Sequence, residues 1–257
     1  MNGAFHIGAI GLGAQQRALD TIANNISNIN TPAFKRSQVR FADVMATRAD
    51  AGAMRADLGR SLAMTAGVRS ESLFMLEEQG RLQSTGRALD LAIDGTGFIE
   101  LMGPGGQTLL WRGGGLKVGE DGLLASQSGH PLRAGITVPG DATAITIDSE
   151  GTVRARTGDD AEMVEIGRIM LVRLDDPVSV QRLDGGLYLP PDSARLTEAQ
   201  PGEDGTGLFV QGALEGSNVE LTSEMVQLML VQRAYAANAQ IVQAADQLMA
   251  LANSLRR

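Results

Sequence analysis

The chain reads as an α+β protein. Long helices at its N- and C-termini form a coiled-coil-like domain, and a mainly antiparallel β domain lies between them in sequence. Three observations predict this. Phe5, Leu12, Leu19 and Ile26 recur at intervals of seven near the N-terminus, with Ile22 among them. Leu221, Leu228, Tyr235, Val242 and Met249 do the same near the C-terminus. In the middle, acidic-Gly pairs separate short apolar runs, which is a hairpin signal. A seven-residue apolar period marks a helix that lies along another helix. The expected domains are 1–31 with 217–257 as the terminal helical domain, 32–69 as an extended connecting segment, and 70–216 as an all-β domain.

In order, the first helix is expected over about residues 3–30. Asn24, Asn25, Ser27, Asn28, Asn30 and Thr31 compete with helical backbone bonds. Pro32 disfavours helix at Thr31. Residues 33–69 read as an irregular linker, with a short helical turn at Phe41, Val44 and Met45. Residues 88–94 alternate as a strand and 98–101 follow as another. Turns are expected at 103–106, 120–122, 149–151 and 184–186, a buried strand at 169–174, and a polar loop at 197–207. Ser217 and Glu220 form a capping box. The helix it opens should reach about Leu255, roughly 55–60 Å at 1.5 Å per residue. Its apolar residues make more than one stripe, and one partner helix covers only one. The terminal helices are therefore expected to order on assembly.

At 257 residues, 43% hydrophobic and 20% charged, the chain can build one large domain or two small ones. A net charge of −8 argues against nucleic acid and anionic membranes as partners. Without cysteine there are no disulfides, thiolate metal sites or cysteine nucleophiles. No stretch reaches the ~18 apolar residues of a membrane span, so no membrane insertion is expected. Residues 1–13 carry no Lys or Arg, so no cleaved secretory signal is expected. His6 and His130 are not in a metal-ligand spacing. Gly113, Gly114 and Gly115 lack the Lys-Ser/Thr of a phosphate loop. Asp148, Ser149, Glu150 and Gly151 lack the calcium-loop series. The pairs Asp159-Asp160 and Asp175-Asp176 read as solvated turns. No catalytic residue, cofactor or metal is expected.

The stretch Ala23-Asn24-Asn25-Ile26-Ser27-Asn28-Ile29-Asn30-Thr31-Pro32-Ala33-Phe34-Lys35-Arg36 resembles the N-terminal signature of bacterial flagellar rod and hook proteins. Gly11-Leu12-Gly13-Ala14-Gln15-Gln16 also fits, as do Leu89-Asp90-Leu91-Ala92-Ile93-Asp94-Gly95-Thr96-Gly97-Phe98 and Gly129-His130-Pro131-Leu132. Gln211-Gly212-Ala213-Leu214-Glu215-Gly216-Ser217-Asn218-Val219 and Gln232-Arg233-Ala234-Tyr235 resemble the family's C-terminal region. Length and middle motifs resemble most the distal-rod branch of the family. The alternative within the family is a proximal-rod or hook subunit.

The resemblance implies a structural, non-enzymatic subunit of the flagellar basal body. It implies self-assembly into a hollow helical tube that spans the periplasm and transmits torque, with the terminal helices as its inner domain and the β domain as its outer domain. Neighbouring rod and hook proteins, surrounding ring proteins and the flagellar type III export apparatus would be partners, with export lacking signal cleavage. Phe5, Leu12, Leu19, Ile22, Ile26, Leu221, Leu228, Tyr235, Val242 and Met249 are the expected inner helix packing. Asn24, Asn25, Asn28, Thr31, Pro32, Phe34 and Lys35 are the expected subunit joint, with Phe34 either anchored in a neighbour or capping its own core. A secreted carbohydrate-active enzyme on a β scaffold is the alternative from another class.

Overall fold

The computed structural model describes residues 2–44, 67–76, 78–158, 162–174 and 180–254. Two helices are described, α1 Asn2–Ser27 and α2 Leu221–Ser254. The described strands are β1 Ser37–Val44, β2 Gly67–Phe74, β3 Leu82–Ser84, β4 Asp90–Asp94, β5 Ile99–Met102, β6 Thr108–Trp111, β7 Gly113–Val118, β8 Leu124–Ser126, β9 Ala142–Ile147, β10 Thr152–Thr157, β11 Val164–Arg168, β12 Leu171–Leu174, β13 Gln181–Arg182, β14 Leu187–Leu189, β15 Leu196–Ala199, β16 Leu208–Gln211 and β17 Ala213–Glu215. This is an α+β fold whose sheets are mainly antiparallel. Contacts divide it into two units. One is Met1–Ile26, Ser37–Leu73 and Glu220–Arg257; the other is Ser27–Arg36 and Phe74–Val219.

In the helical unit, α1 ends at Ser27, within the Asn-rich stretch. The chain then turns, with Thr31 N–H donating to Asn28 C=O at 3.1 Å. Gly8 and Gly11 cost α1 about 1 kcal/mol each in propensity. They let α2 come close: a Cβ on Gly8 would lie 2.7 Å from Val242 Cγ2, and one on Gly11 3.3 Å from Asn238 Nδ2. Farther along α1, Asn25 meets Glu224. Advancing along α1 thus retreats along α2, and the helices pack antiparallel. α2 contains no Gly or Pro and is rich in Ala, Leu, Met and Gln, all strong helix formers. It begins at Leu221. Ser217 Oγ instead accepts from Val219 N–H at 3.2 Å in the preceding turn. Residues 216–220 are non-helical and Val219 is buried, so the helix starts four residues after the predicted cap at Ser217. Phe41 and Val44 lie in β1, which pairs with β2, so the predicted helical turn is a strand there. Met45 lies outside the described residues, as do the pairs Asp159-Asp160 and Asp175-Asp176.

The β unit contains two four-stranded sheets, ordered β16-β4-β7-β8 and β13-β14-β6-β5. A β11-β10-β9 sheet and the pairs β12-β15 and β17-β3 complete it. β4 has strands on both sides, and its Leu91, Ala92 and Ile93 are fully buried, which explains a run that is apolar at consecutive positions. The main core joins Leu91 and Ile93 to Ile99, Leu109, Trp111, Leu124, Val153 and Phe209. The predicted turns are present: Gly122 N–H donates to Gly119 C=O at 3.0 Å, and Gly151 N–H to Asp148 C=O at 3.1 Å. The predicted loop at 197–207 begins as β15, because Leu196 to Ala199 pair with Leu174 to Leu171.

A smaller core holds Phe98, Leu110, Leu174, Val180 and Tyr188. Tyr188 Oη is buried with no protein partner among the described residues. Burial pushes its phenol up to about 12, against about 10 for an exposed tyrosine. Unfolded chains therefore release this proton above pH 10 while folded ones keep it. Tyr188 does not disfavour the native state below pH 10, and stability falls as pH rises from 10 to 12. In a Tyr235→Phe background, tyrosinate absorbance of the folded protein should titrate near 12. A midpoint near 10 in protein still folded by circular dichroism would refute the assignment.

Candidate assembly site

Two sets of residues organise the chain around its ends. In the helical unit, Asn25 is buried at the end of α1. Its Nδ2 donates to Ser37 C=O at 2.8 Å and Glu224 Oε2 at 3.2 Å. Its Oδ1 accepts from Ser37 N–H at 3.0 Å and from Ser37 Oγ at 3.2 Å. One amide therefore ties α1, the start of β1 and the first turn of α2. Asn25→Ala should destabilise this unit by about 2–3 kcal/mol, because it strands buried backbone and carboxylate groups. Helix melting followed at 222 nm tests it, and an unchanged melt would count against the network.

In the β unit, the segment after α1 and the segment before α2 are joined by a buried ionic cluster. Lys35 Nζ donates to Glu215 Oε1 and to Glu78 C=O, each at 2.6 Å. Glu215 Oε1 also accepts from Gly80 N–H at 2.9 Å. Glu215 Oε2 accepts from Arg112 Nε at 3.3 Å and Nη2 at 3.2 Å. Two cations share one carboxylate; the Gly97 and Gly95 carbonyls, accepting from Arg112 at 2.6 and 2.8 Å, help satisfy the second. Burial, reinforced by the nearby Arg112 charge, lowers the Lys35 pKa, and Glu215 opposes that shift. Backbone pairing completes the joint. Ala33 N–H donates to Glu215 C=O at 2.7 Å, and Asn218 N–H to Phe34 C=O at 3.3 Å. Asn218 Oδ1 accepts from Arg36 N–H at 2.6 Å. These contacts hold Ala33 in the left-handed region at φ 56°, a conformation costly for a residue with a Cβ.

The predicted joint residues divide in two. Asn25, Phe34 and Lys35 are buried within their own chain. Asn24 and Pro32 are exposed, and Asn28 and Thr31 half-buried. Phe34 lies under the Arg182 guanidinium, whose carbon is 3.8 Å from the ring centroid. Within the single chain its ring is fully buried. Sequence reading missed Arg112 as a partner and did not single out the Glu215 side chain, although Glu215 stands in a quoted motif. An Arg between Trp111 and a glycine run, far from Lys35 in sequence, carries no local signal of pairing.

Of the predicted helix-packing residues, Ile22 is buried. Leu12, Leu19, Ile26, Leu228 and Val242 are half-buried. Leu221 and Tyr235 are exposed. The side chains of Phe5 and Met249 lie outside the described ones. The buried face of α1 runs through Ala14, Ala18, Ile22 and Asn25, beside the Leu12–Leu19–Ile26 series. α2 exposes Leu221, Met225, Val226, Met229, Leu230 and Ile241. Leu230 also lines an open groove of about 180 Å³ with Ala18, Ile22, Val39, Gln227 and Val231.

Paired terminal helices with an exposed apolar row on α2, and a buried ionic joint between the segment after α1 and the segment before α2, are features suited to a structural protein. Three family models match: "Flagella basal body rod protein" over residues 5–35, "Flagellar hook protein FlgE/F/G D1 domain" over 92–155, and "Flagellar basal body rod FlgEFG protein C-terminal" over 210–255. Similar proteins include the flagellar basal-body rod protein FlgG of Caulobacter vibrioides, 33% identical across 98% of this chain and 99% of that one. The FlgG proteins of Borreliella burgdorferi (33%; 99% and 98%) and Bacillus subtilis (32%; 99% and 99%) are also similar. The chain belongs to the flagellar basal-body rod protein family.

Proposed function

We propose that this chain is a structural subunit of the distal flagellar rod that polymerises through its terminal helices and catalyses nothing. The observation that carries this reading is the row of large apolar side chains on α2, exposed in the single chain. Such a face is costly in water and suits burial against another helix. The groove between α1, β1 and α2 lies beside it and suits side chains from the next subunit. In this reading the terminal helices form a coiled-coil-like inner layer of a hollow helical tube, fully ordered only on assembly, and the β unit forms the outer layer. The tube crosses the periplasm and carries torque. Its partners are further copies, adjacent rod and hook subunits, the surrounding rings and the type III export apparatus, through which the chain passes uncleaved.

Deleting the last 35 residues should abolish polymerisation and leave a folded β unit. Sedimentation of the purified protein and near-ultraviolet circular dichroism around Trp111 read the two effects. A truncated protein that still forms filaments would sink the proposal. The enzyme alternative rests on the cleft of the β unit lined by Glu100 and Glu198, since a glycosidase needs two facing carboxylates. Glu100 is ion-paired there with Arg133 at 3.3 Å. Release of sugars from peptidoglycan by the pure protein would favour it.

A further inference from the structure

We propose that Met225 and Met229 are an oxidation site that switches assembly off. The inference rests on the reading of the α2 stripe given above and adds a form of regulation to it. Met225 is 52% exposed and Met229 51%. Among the described side chains, the other exposed methionines are Met102 and Met163, both on the β unit and both less open, at 42% and 37%. Met225 and Met229 stand four residues apart on α2, so their side chains are neighbours on one helix face. Leu221 extends the same row one turn earlier, and Val226 and Leu230 lie beside it.

Leucine would serve the apolar row and the helix equally well, since the two residues have nearly equal helix propensity. The thioether adds one property that leucine lacks: reversible polarity. A peroxide transfers one oxygen atom to the sulfur. The sulfur is oxidised to a sulfoxide, the peroxide O–O bond breaks, and the peroxide leaves as water or an alcohol. Two adjacent sulfoxides place two strong acceptors in the middle of the row. Burying them against a partner helix without donors is unfavourable. Helix α2 itself survives, because the sulfurs project outward and its backbone bonds are untouched. Sulfoxide reductases reverse the reaction, so the block is a switch and not damage.

The test uses the purified full-length chain with hydrogen peroxide. Peptide mass spectrometry should show both methionines gaining oxygen in free subunits and staying protected in filaments. Treated subunits should need a concentration about tenfold or more higher to sediment as filaments, with helix content unchanged. Methionine sulfoxide reductase should restore assembly. The variant M225L/M229L should assemble normally and resist peroxide, whereas M102L/M163L should remain sensitive. Normal assembly of doubly oxidised subunits would overturn the switch, as would equal sensitivity of M225L/M229L. Untreated wild-type protein that never assembles would instead overturn the rod reading of this face, and the inference with it.

Discussion

Glu215→Gln is expected to destabilise the β unit by about 3–5 kcal/mol, the usual cost of breaking a buried pair from one side. The amide keeps the shape of the carboxylate and removes its charge. Lys35 and Arg112 then remain buried, with side-chain exposures of 1% and 2%, and no anion between them. Gln can accept through one oxygen, so donors among Lys35, Gly80 and Arg112 also lose a partner. The companion variant Lys35→Met/Glu215→Met removes both charges and fills space with apolar atoms. It should cost less than the two single changes together, with a coupling of about 1–3 kcal/mol. Arg112 stays uncompensated, so the double variant should not reach wild-type stability. Urea unfolding followed by Trp111 fluorescence measures all four variants. A loss below about 1 kcal/mol for Glu215→Gln would mean that the cluster is not a buried ion pair in solution.

Gly80→Ala is expected to be the second most damaging change, at about 3 kcal/mol or more. A methyl group there would overlap the carbonyl oxygen of Gly216, with the Gly216 and Ser217 carbonyl carbons close behind. All three are backbone atoms, so no side-chain rotation relieves the clash. The segment cannot shift freely either, because Gly80 N–H donates to Glu215 and Gly216 N–H donates to Arg81 C=O at 2.8 Å. The strain falls on β17, which pairs with β3, and on the Lys35–Glu215 bond. Gly86→Ala is the control nearby: its Cβ would meet open space, although its φ of +69° makes the substitution mildly strained. Thermal melting should rank Gly80→Ala well below Gly86→Ala. Equal melting temperatures would show that the two backbone segments do not approach as described.

Much of this architecture was legible because its causes are local. The end of α1 follows from Asn-rich residues and Pro32, which compete with or forbid helical bonds within one turn. The turn between β9 and β10 follows from Asp148, whose Oδ1 accepts from Glu150 and Thr152 N–H at 3.1 and 2.8 Å, and from Gly151 at φ +84°. The family motifs were legible for a similar reason: they are contiguous strings. Phe41 and Val44 were misread because apolar residues at that spacing suit a helix until pairing with β2 makes them a strand. Ser217 looked like a cap because Glu stands three residues later, yet its hydroxyl accepts from Val219 N–H and α2 begins only at Leu221.

Sequence alone settled the two terminal helices, the break after α1 and the acidic-Gly turns of the β unit, since each depends on side chains a few residues apart. It also settled the family, through strings carried whole along the chain. Tertiary structure decided which charges meet. Lys35 finds Glu215 across 180 residues, and no local pattern encodes a partner at that separation. It also decided which side of each helix is buried. Glycines at 8 and 11 admit α2 along the small-residue side of α1 and leave the apolar row of α2 turned to solvent.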